Sequence, residues 1–244
     1  MNNQILNNLN RIQQRIENAC IKSNRNSKEV KLLLATKTVT AERIKIALQS
    51  GQTLIGENKV QEIKEKYDVL KSFPHESHFI GHLQTNKIKE LLKYNVSCIQ
   101  SIDHLRFATK LHQRLAFENK EIDVFIQVNT SNEQSKFGVH PDNTIELVKA
   151  VSVYENIHIK GLMTIGLFSA EEDKIRSCFQ KLKNLQQEIQ ALQIPNVEMK
   201  ELSMGMSGDL EIAIAEGATI VRVGTAIFGE RIYPDSYYWN ETKN

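Results

Sequence analysis

Eight short apolar runs, each followed by a longer polar segment, constrain this chain more than any other feature. They are "KLLLAT", "TLI", "SHFIG", "SCIQSI", "DVFIQV", "HIKGLMTI", "EMKEL" and "TIVRVG". The intervening segments carry apolar residues at three- and four-residue steps, the period of an amphipathic helix. "AERIKIALQSG" is one and ends in Gly51. "EEDKIRSCFQKLKNLQQEIQAL" is the clearest, aligning Ile175, Phe179, Leu182, Leu185 and Ile189. It is expected to stop at Pro195, because proline disfavours helical geometry in the residue before it. Strands alternating with helices at about 30 residues per unit read as parallel βα units. An α/β fold closed as a single (β/α)8 TIM barrel, typically ~250 residues, fits the 244 residues with almost nothing left over. An open doubly wound sheet would show a glycine fingerprint after its first strand, whereas this one ends in "ATKT".

One domain covering residues 1–244 is therefore expected, with an extra N-terminal helix and a short tail, "IYPDSYYWNETKN". Ile5, Leu9, Ile12, Ile16 and Ala19 form the stripe of that first helix. No Pro/Gly/Ser-rich linker divides the chain. Composition narrows the function classes. Thirty-one basic and twenty-nine acidic residues give no sign of a nucleic-acid surface. No apolar stretch has the ~18 residues of a membrane span, and the N-terminus lacks a signal core. Cys20, Cys98 and Cys178 are isolated and odd in number, so they suggest neither disulfides nor a zinc cluster. A cytoplasmic monomer is the expectation.

In a barrel of this type chemistry sits at the C-terminal ends of the strands. Those exits carry Lys37, then "GEN" (Glu57, Asn58), "GHLQTNK" (His82, Gln84, Asn86), "SID" (Ser101, Asp103) and "QVN" (Gln127, Asn129). "MTIG", "LSMGMSG" (Ser203, Ser207) and "RVGTAIFG" (Arg222, Gly224, Thr225) complete the ring. Lys37 follows an apolar run, and a desolvated lysine loses its proton readily enough for Schiff-base chemistry. From position alone, a rim lysine reaching out to a surface carboxylate accounts for it slightly better.

The last two exits change that balance. "SMGMSGD" and "VGTAIFG" place small and hydroxyl residues where backbone N–H groups can approach an anion, and the loops after strands 7 and 8 recurrently bind phosphate in this barrel. Tight turns alone would also use glycine, but two such loops at adjacent exits favour phosphate. Arg222, two residues before Gly224, shares its inward orientation on the strand and needs a partner there. A lysine on strand 1 and a phosphate cradle after strands 7 and 8 describe a site for a phosphorylated aldehyde. Pyridoxal 5′-phosphate meets both constraints; so does a sugar phosphate in a class I aldolase.

"LLATKTV", "GENKVQE", "HFIGHLQTNK", "QVNTSNEQSKFGV", "GLMTIG" and "LSMGMSGDLEIAIAEGATIVRVGTAIFGER" closely resemble the pyridoxal-phosphate-binding homeostasis proteins, from about Leu32 to Arg231. The resemblance implies a barrel like the N-terminal domain of alanine racemase, a fold type III pyridoxal-phosphate architecture. It implies that Lys37 forms the internal aldimine and that Asn58 lies beside it. Ser203, Ser207, Gly224 and Thr225 then hold the phosphate, and Arg222 approaches the pyridine nitrogen. It further implies a role in vitamin B6 balance without robust turnover, with apo-enzymes as recipients of the cofactor. Lys136, in "EQSKFGV", matches a lysine of the family motif linked to cofactor exchange; an ordinary solvated loop lysine explains it equally well.

Departures from the pattern are Thr36 for serine, Lys59 for tyrosine and Phe137 for a small residue. Phe137 bears on access to the site. Racemases of this fold carry a second domain that supplies a second proton carrier, and this sequence lacks a counterpart. That favours binding over catalysis; the competing expectation is a lysine Schiff-base enzyme, an amino-acid racemase or decarboxylase, or the aldolase. Tyr233, Tyr237 and Tyr238 in the tail read more simply as a packing patch than as substitutes. His75, His78 and His82 lack a recognised fourth metal ligand.

Overall fold

The structure, a computed structural model, describes residues 2–167 and 169–229. The tail tyrosines, Tyr233, Tyr237 and Tyr238, lie outside the described residues. Eight parallel strands run in chain order around a closed barrel: β1 (Lys31–Ala35), β2 (Leu54–Glu57), β3 (Glu76–Phe79), β4 (Val96–Ile102), β5 (Ile122–Gln127), β6 (Ile157–Met163), β7 (Val197–Ser203) and β8 (Ile220–Val223). Each run picked out by its apolar residues contributes one strand. The helices are α1 (Asn2–Lys22), α2 (Ala41–Gln49), α3 (Val60–Leu70), α4 (Ile88–Leu91), α5 (Leu105–Glu118), α6 (Thr144–Ser152), α7 (Glu172–Ala191), α8 (Leu210–Ala215) and α9 (Thr225–Phe228). Among the described residues, none is long and apolar enough to cross a membrane.

Side chains alternate across the wall, as the pleat requires. Leu33, Leu54, Cys98, Phe125, Met163 and Ile220 form a cluster made of strand residues only, which is the barrel interior. Their neighbours Leu34, Ile55, Ile99, Val124, Leu162 and Val221 join the helices in the outer core. Each fully buried side chain of this size contributes roughly 1.5–3 kcal/mol relative to exposure.

Two helix details depart from the sequence pattern. On α7, Leu185 is only half-buried and Gln186 takes the inward place. The Gln186 amide donates to the Met199 carbonyl at 3.0 Å, where a left-handed φ of 48° turns that carbonyl out of the ladder. The same helix ends at Ala191, short of Pro195, and the chain reverses through Gln193 at φ 48°. The stop is made by this left-handed residue before the proline is reached.

Closure joins the ends of the fold. β1 pairs with β8 in the register Leu33↔Arg222 and Leu34↔Val223. β7 and β8 share a shorter ladder, with Ser203↔Ile220 in register. α1 and the turn after it clasp that side of the barrel: Asn8 on the helix donates to the Ile227 carbonyl at 3.0 Å, and Arg25 just beyond it donates to those of Ile214 and Ala218 at 2.7 and 2.8 Å. The predicted extra helix is thus a strap over the last two βα units. Its apolar stripe, Ile5, Leu9, Ile12, Ile16 and Ala19, is wholly buried.

Candidate functional site

Lys37 follows β1 in a tight turn and is half-buried. Both of its neighbours are fastened to one buried cluster behind β2. Thr36 is fully buried, and its hydroxyl donates to Glu57 Oε1 at 2.6 Å. Thr38, at φ 65°, donates its backbone N–H to Glu62 Oε2 at 2.7 Å. Lys66 on α3 locks the two together, donating to the Thr36 carbonyl at 2.9 Å, Glu57 Oε1 at 2.7 Å and Glu62 Oε2 at 2.8 Å. Three N–H bonds with three acceptors use the full donor capacity of an ammonium group. The backbone on either side of Lys37 is therefore held from outside the barrel wall.

Burial pushes the Glu57 carboxyl up to about 7, against the pull of the Lys66 ammonium. Glu62 is less enclosed. Burial would raise it too, but the Lys66 charge, the Lys66 hydrogen bond and the Thr38 N–H together hold it below its ordinary value.

A polar layer crosses the barrel above the apolar interior. Arg222 donates Nη1–H to Ser203 Oγ at 2.9 Å and Nη2–H to the Thr164 carbonyl at 2.7 Å. Ser203 donates to Gln100 Oε1 at 2.6 Å, and Gln100 Nε2 lies 2.7 Å from His78 Nδ1. Arginine only donates, so the chain runs one way, from Arg222 through Ser203 and Gln100, and His78 Nδ1 is the final acceptor. That assignment requires neutral His78. Burial and the Lys31 charge hold it at about 4, so it is neutral at physiological pH. Burial also lowers Arg222, to about 10, with Asp209 opposing; the guanidinium stays charged.

The expected site residues fall into this frame as follows. Asn58 follows β2 directly, and Gly81 lies against it so closely that a Cβ there would meet Asn58 O at 2.1 Å. Gly224 leaves β8 beside the end of β1, where a Cβ would meet Ala35 O at 2.8 Å. Lys37 and the "GTAIF" loop, far apart in sequence, are thus adjacent across the β1–β8 seam. Ser207 lies in the loop before α8, and Arg15 fixes its carbonyl at 3.0 Å while pairing with Glu211. Asp209 closes that loop, accepting from Met206 N–H at 2.5 Å. Thr225 is exposed at the start of α9. Ser203 is placed differently from Ser207: it is fully buried in the polar layer, and its hydroxyl is already engaged on both sides.

The loops after β3, β5 and β6 are tied to one another. His82 stacks on Phe137 with ring centroids 4.0 Å apart. Lys136 pairs with Glu133 and donates to the Gly166 carbonyl at 2.7 Å. The three histidines of "HESHFIGH" separate: His75 bonds the Phe73 carbonyl, His78 enters the barrel and His82 joins the rim. Among the described residues, no cluster of three or more His, Cys, Asp or Glu side chains gathers that could hold a metal.

The family model of the alanine racemase N-terminal domain matches residues 3–232. The pyridoxal phosphate homeostasis protein of Aquifex aeolicus is 44% identical over 226 residues, 92% of this chain and 97% of that protein. The chain belongs to the pyridoxal phosphate homeostasis protein family. A solved structure of PipY from Synechococcus elongatus, with pyridoxal phosphate bound, is 30% identical. It superposes with a TM-score of 0.76 over 89% of this chain and 100% of PipY. An alanine racemase of Clostridium difficile is only 12% identical, at a TM-score of 0.77 over 96% of this chain and 58% of its own; it shares the fold alone.

The residues around the seam suit the cofactor that this homeostasis family is named for. They offer an amine on a fixed turn, and a loop of small and hydroxyl residues closed tightly enough that Gly224 admits no Cβ. A positively charged guanidinium lies in the layer below. Sequence reasoning missed Gln100, Thr164 and Lys66. An i, i+4 Glu62–Lys66 pair next to a glutamate in the apolar strand "LIGE" was the one available signal for Lys66.

Proposed function

We propose that this chain binds pyridoxal 5′-phosphate at the β1–β8 seam, covalently through the Lys37 amine, and serves vitamin B6 homeostasis as a carrier. The observation that carries the proposal is the adjacency of the Lys37 turn and the Gly224–Thr225 loop, in a family where PipY holds the same cofactor. When bound, the cofactor supplies an electrophilic aldehyde carbon and a conjugated electron sink. The rest of the work falls to this chain. The Thr36–Glu57–Lys66–Glu62 cluster orients Lys37. Ser207, Gly224 and Thr225 receive the phosphate through hydroxyl and backbone N–H donors. Asn58 stands beside the lysine, and Arg222 faces the ring from the polar layer. Ser203 acts one step back, by fixing Arg222.

A carrier role agrees with how the nearby titratable groups are used. Glu57 and Glu62 are bound to Lys66 behind the strand, and His78 Nδ1 is occupied by Gln100. These groups position; they do not offer a proton at the Lys37 amine. Recipients are apo-enzymes that use the same cofactor.

Titration of the purified protein with pyridoxal phosphate tests the reading. A visible absorption band should appear, disappear on borohydride reduction, and be absent from Lys37→Ala. A colourless protein that cannot be reconstituted refutes binding at Lys37. Mixing the loaded protein with an apo-enzyme should restore that enzyme's activity. Rapid racemisation or decarboxylation of any amino acid by the loaded protein refutes the carrier role.

A further inference from the structure

The loop between β7 and α8, Met204 to Asp209, is fixed at its two ends by the main chain. Met204 N–H donates to the Ile220 carbonyl at 3.1 Å, and the Gly205 carbonyl accepts from Arg222 N–H at 2.9 Å. Asp209 N–H returns to the Met206 carbonyl at 3.2 Å. A Cβ on Gly205 would lie 2.4 Å from that of Ala213, so this end of the loop is also packed shut. The apex, Ser207 and Gly208, is held differently. Among the described residues, the bond that reaches it comes from α1, where Arg15 Nη2–H donates to the Ser207 carbonyl at 3.0 Å. Arg15 is itself oriented: its Nε and Nη2 donate to the two oxygens of Glu211 at 2.6 and 2.8 Å, a bidentate pairing that fixes the plane of the guanidinium.

A trans peptide sets its C=O and N–H in opposite directions, and the described residues contain no cis bond. The Ser207 carbonyl points to α1, so the N–H of Gly208, in the same peptide plane, points away from it. Among the described residues, nothing accepts from that N–H. Gly208 is exposed, and a Cβ there would meet no atom within 4 Å. The loop therefore presents a reachable backbone donor with open space beside it. Charge acts in the same sense. Glu211 and Asp209 repel a dianion at this loop, and Arg15 cancels the first of the two.

We infer that Arg15 is a positioning residue for phosphate: from α1 it holds the Ser207–Gly208 peptide with the Gly208 N–H turned away from the strap, as a donor to the anion. This role deepens the proposed cofactor site and depends on that loop receiving the phosphate. Arg15 and Glu211 are partly exposed, with side chains 31% and 45% accessible. Such a pair adds little to stability, so the fold should survive the loss of either partner.

Inorganic phosphate, followed by amide chemical shifts in the cofactor-free full chain, reads the loop without Lys37. In wild type the Gly208 amide should shift and saturate. In Arg15→Ala the same shift should need roughly tenfold more phosphate, the effect of one charge-assisted hydrogen bond. Pyridoxal phosphate and pyridoxal, titrated by absorbance, compare the same aldehyde with and without the anion. Arg15→Ala should lose about tenfold in affinity for pyridoxal phosphate and none for pyridoxal. Glu211→Gln keeps a neutral acceptor for Arg15 and should weaken neither aldehyde. The role of Arg15 is refuted if Gly208 does not respond to phosphate in wild type, or if Arg15→Ala leaves phosphate affinity unchanged. It is refuted equally if Arg15→Ala weakens both aldehydes alike, or if Glu211→Gln weakens pyridoxal phosphate as much as Arg15→Ala does. A chain that forms no adduct with either aldehyde, while Gly208 still answers to inorganic phosphate in an Arg15-dependent way, refutes Lys37 as the anchor and upholds Arg15.

Discussion

Replacing Glu57 by glutamine removes one titration from the folded state and leaves the shape of the cluster intact. The amide oxygen still accepts from Thr36 and Lys66, so the difference between the two proteins as pH changes reports the carboxyl. Its pKa rises from an ordinary 4.5 to about 7 on folding. Below pH 4.5 the carboxyl is protonated in both states and folding carries no penalty. As pH rises, the unfolded chain releases its proton first, while the folded chain, with its raised pKa, holds on. Stability attributable to Glu57 is therefore fully present below the unfolded value and is lost as pH climbs through the folded one. At 1.36 kcal/mol per unit, the loss between pH 4.5 and 7.5 is about 3 kcal/mol. Glu62, held below its ordinary value, contributes in the opposite direction and at lower pH; it is present in both proteins and largely cancels. Urea denaturation of the cofactor-free proteins at half-unit pH steps measures the difference directly. Wild type should lose about 3 kcal/mol relative to Glu57→Gln across this window. A difference that stays flat, or that grows in favour of wild type with rising pH, refutes the buried-carboxyl account.

Ser203→Ala leaves Arg222 Nη1–H and Gln100 Oε1 without their shared partner, so urea denaturation should show a loss of roughly 1–3 kcal/mol per orphaned group. Gly81→Ala introduces a Cβ 2.1 Å from Asn58 O and must push the β2 exit aside; pyridoxal phosphate affinity, read by absorbance titration, should fall about tenfold, worth 1.4 kcal/mol. Lys136→Ala releases the Gly166 carbonyl and separates the loops after β5 and β6. Stopped-flow transfer to an apo-enzyme should then become several-fold faster, while stability changes by less than about 1 kcal/mol.

The barrel was legible because its signals are local: apolar runs of strand length, and helical stripes such as Ile5 to Ala19, can be read one segment at a time. Lys37, Asn58, Gly224 and Thr225 could be named as candidates because strand exits are where a barrel keeps its loops. Of the polar layer, only the inward turn of Arg222 and its need for a partner were legible. His78, Gln100, Ser203 and Arg222 come from four strands, and register shifts at Ser77/His78 and between Ile99 and Ile102 decide which side chains turn inward. Ser203 and Ser207 look alike in "LSMGMSG", yet one ends a strand inside the barrel and the other stands in the loop. Lys66 resembles any solvated helix lysine, and only the approach of Glu57 from β2 makes it internal. Leu185 and Gln186 exchange places for a similar reason, since the Met199 carbonyl that captures Gln186 belongs to another element.

The pairing of β1 with β8 also sets a timetable for biosynthesis. Lys31 and Ile220 are partners separated by nearly 190 residues, and at 5–20 residues per second a ribosome needs roughly 10–40 s to cover that interval. For all of it, the β1 edge "KLLLA" has no β8 to cover it, which is the condition under which apolar strands recruit foreign partners. The seam that brings Lys37 to the Gly224–Thr225 loop is also the last to close. A nascent chain therefore acquires the candidate cofactor site only when its final strand arrives, and pyridoxal phosphate supplied during synthesis would favour the completed barrel over every shorter intermediate.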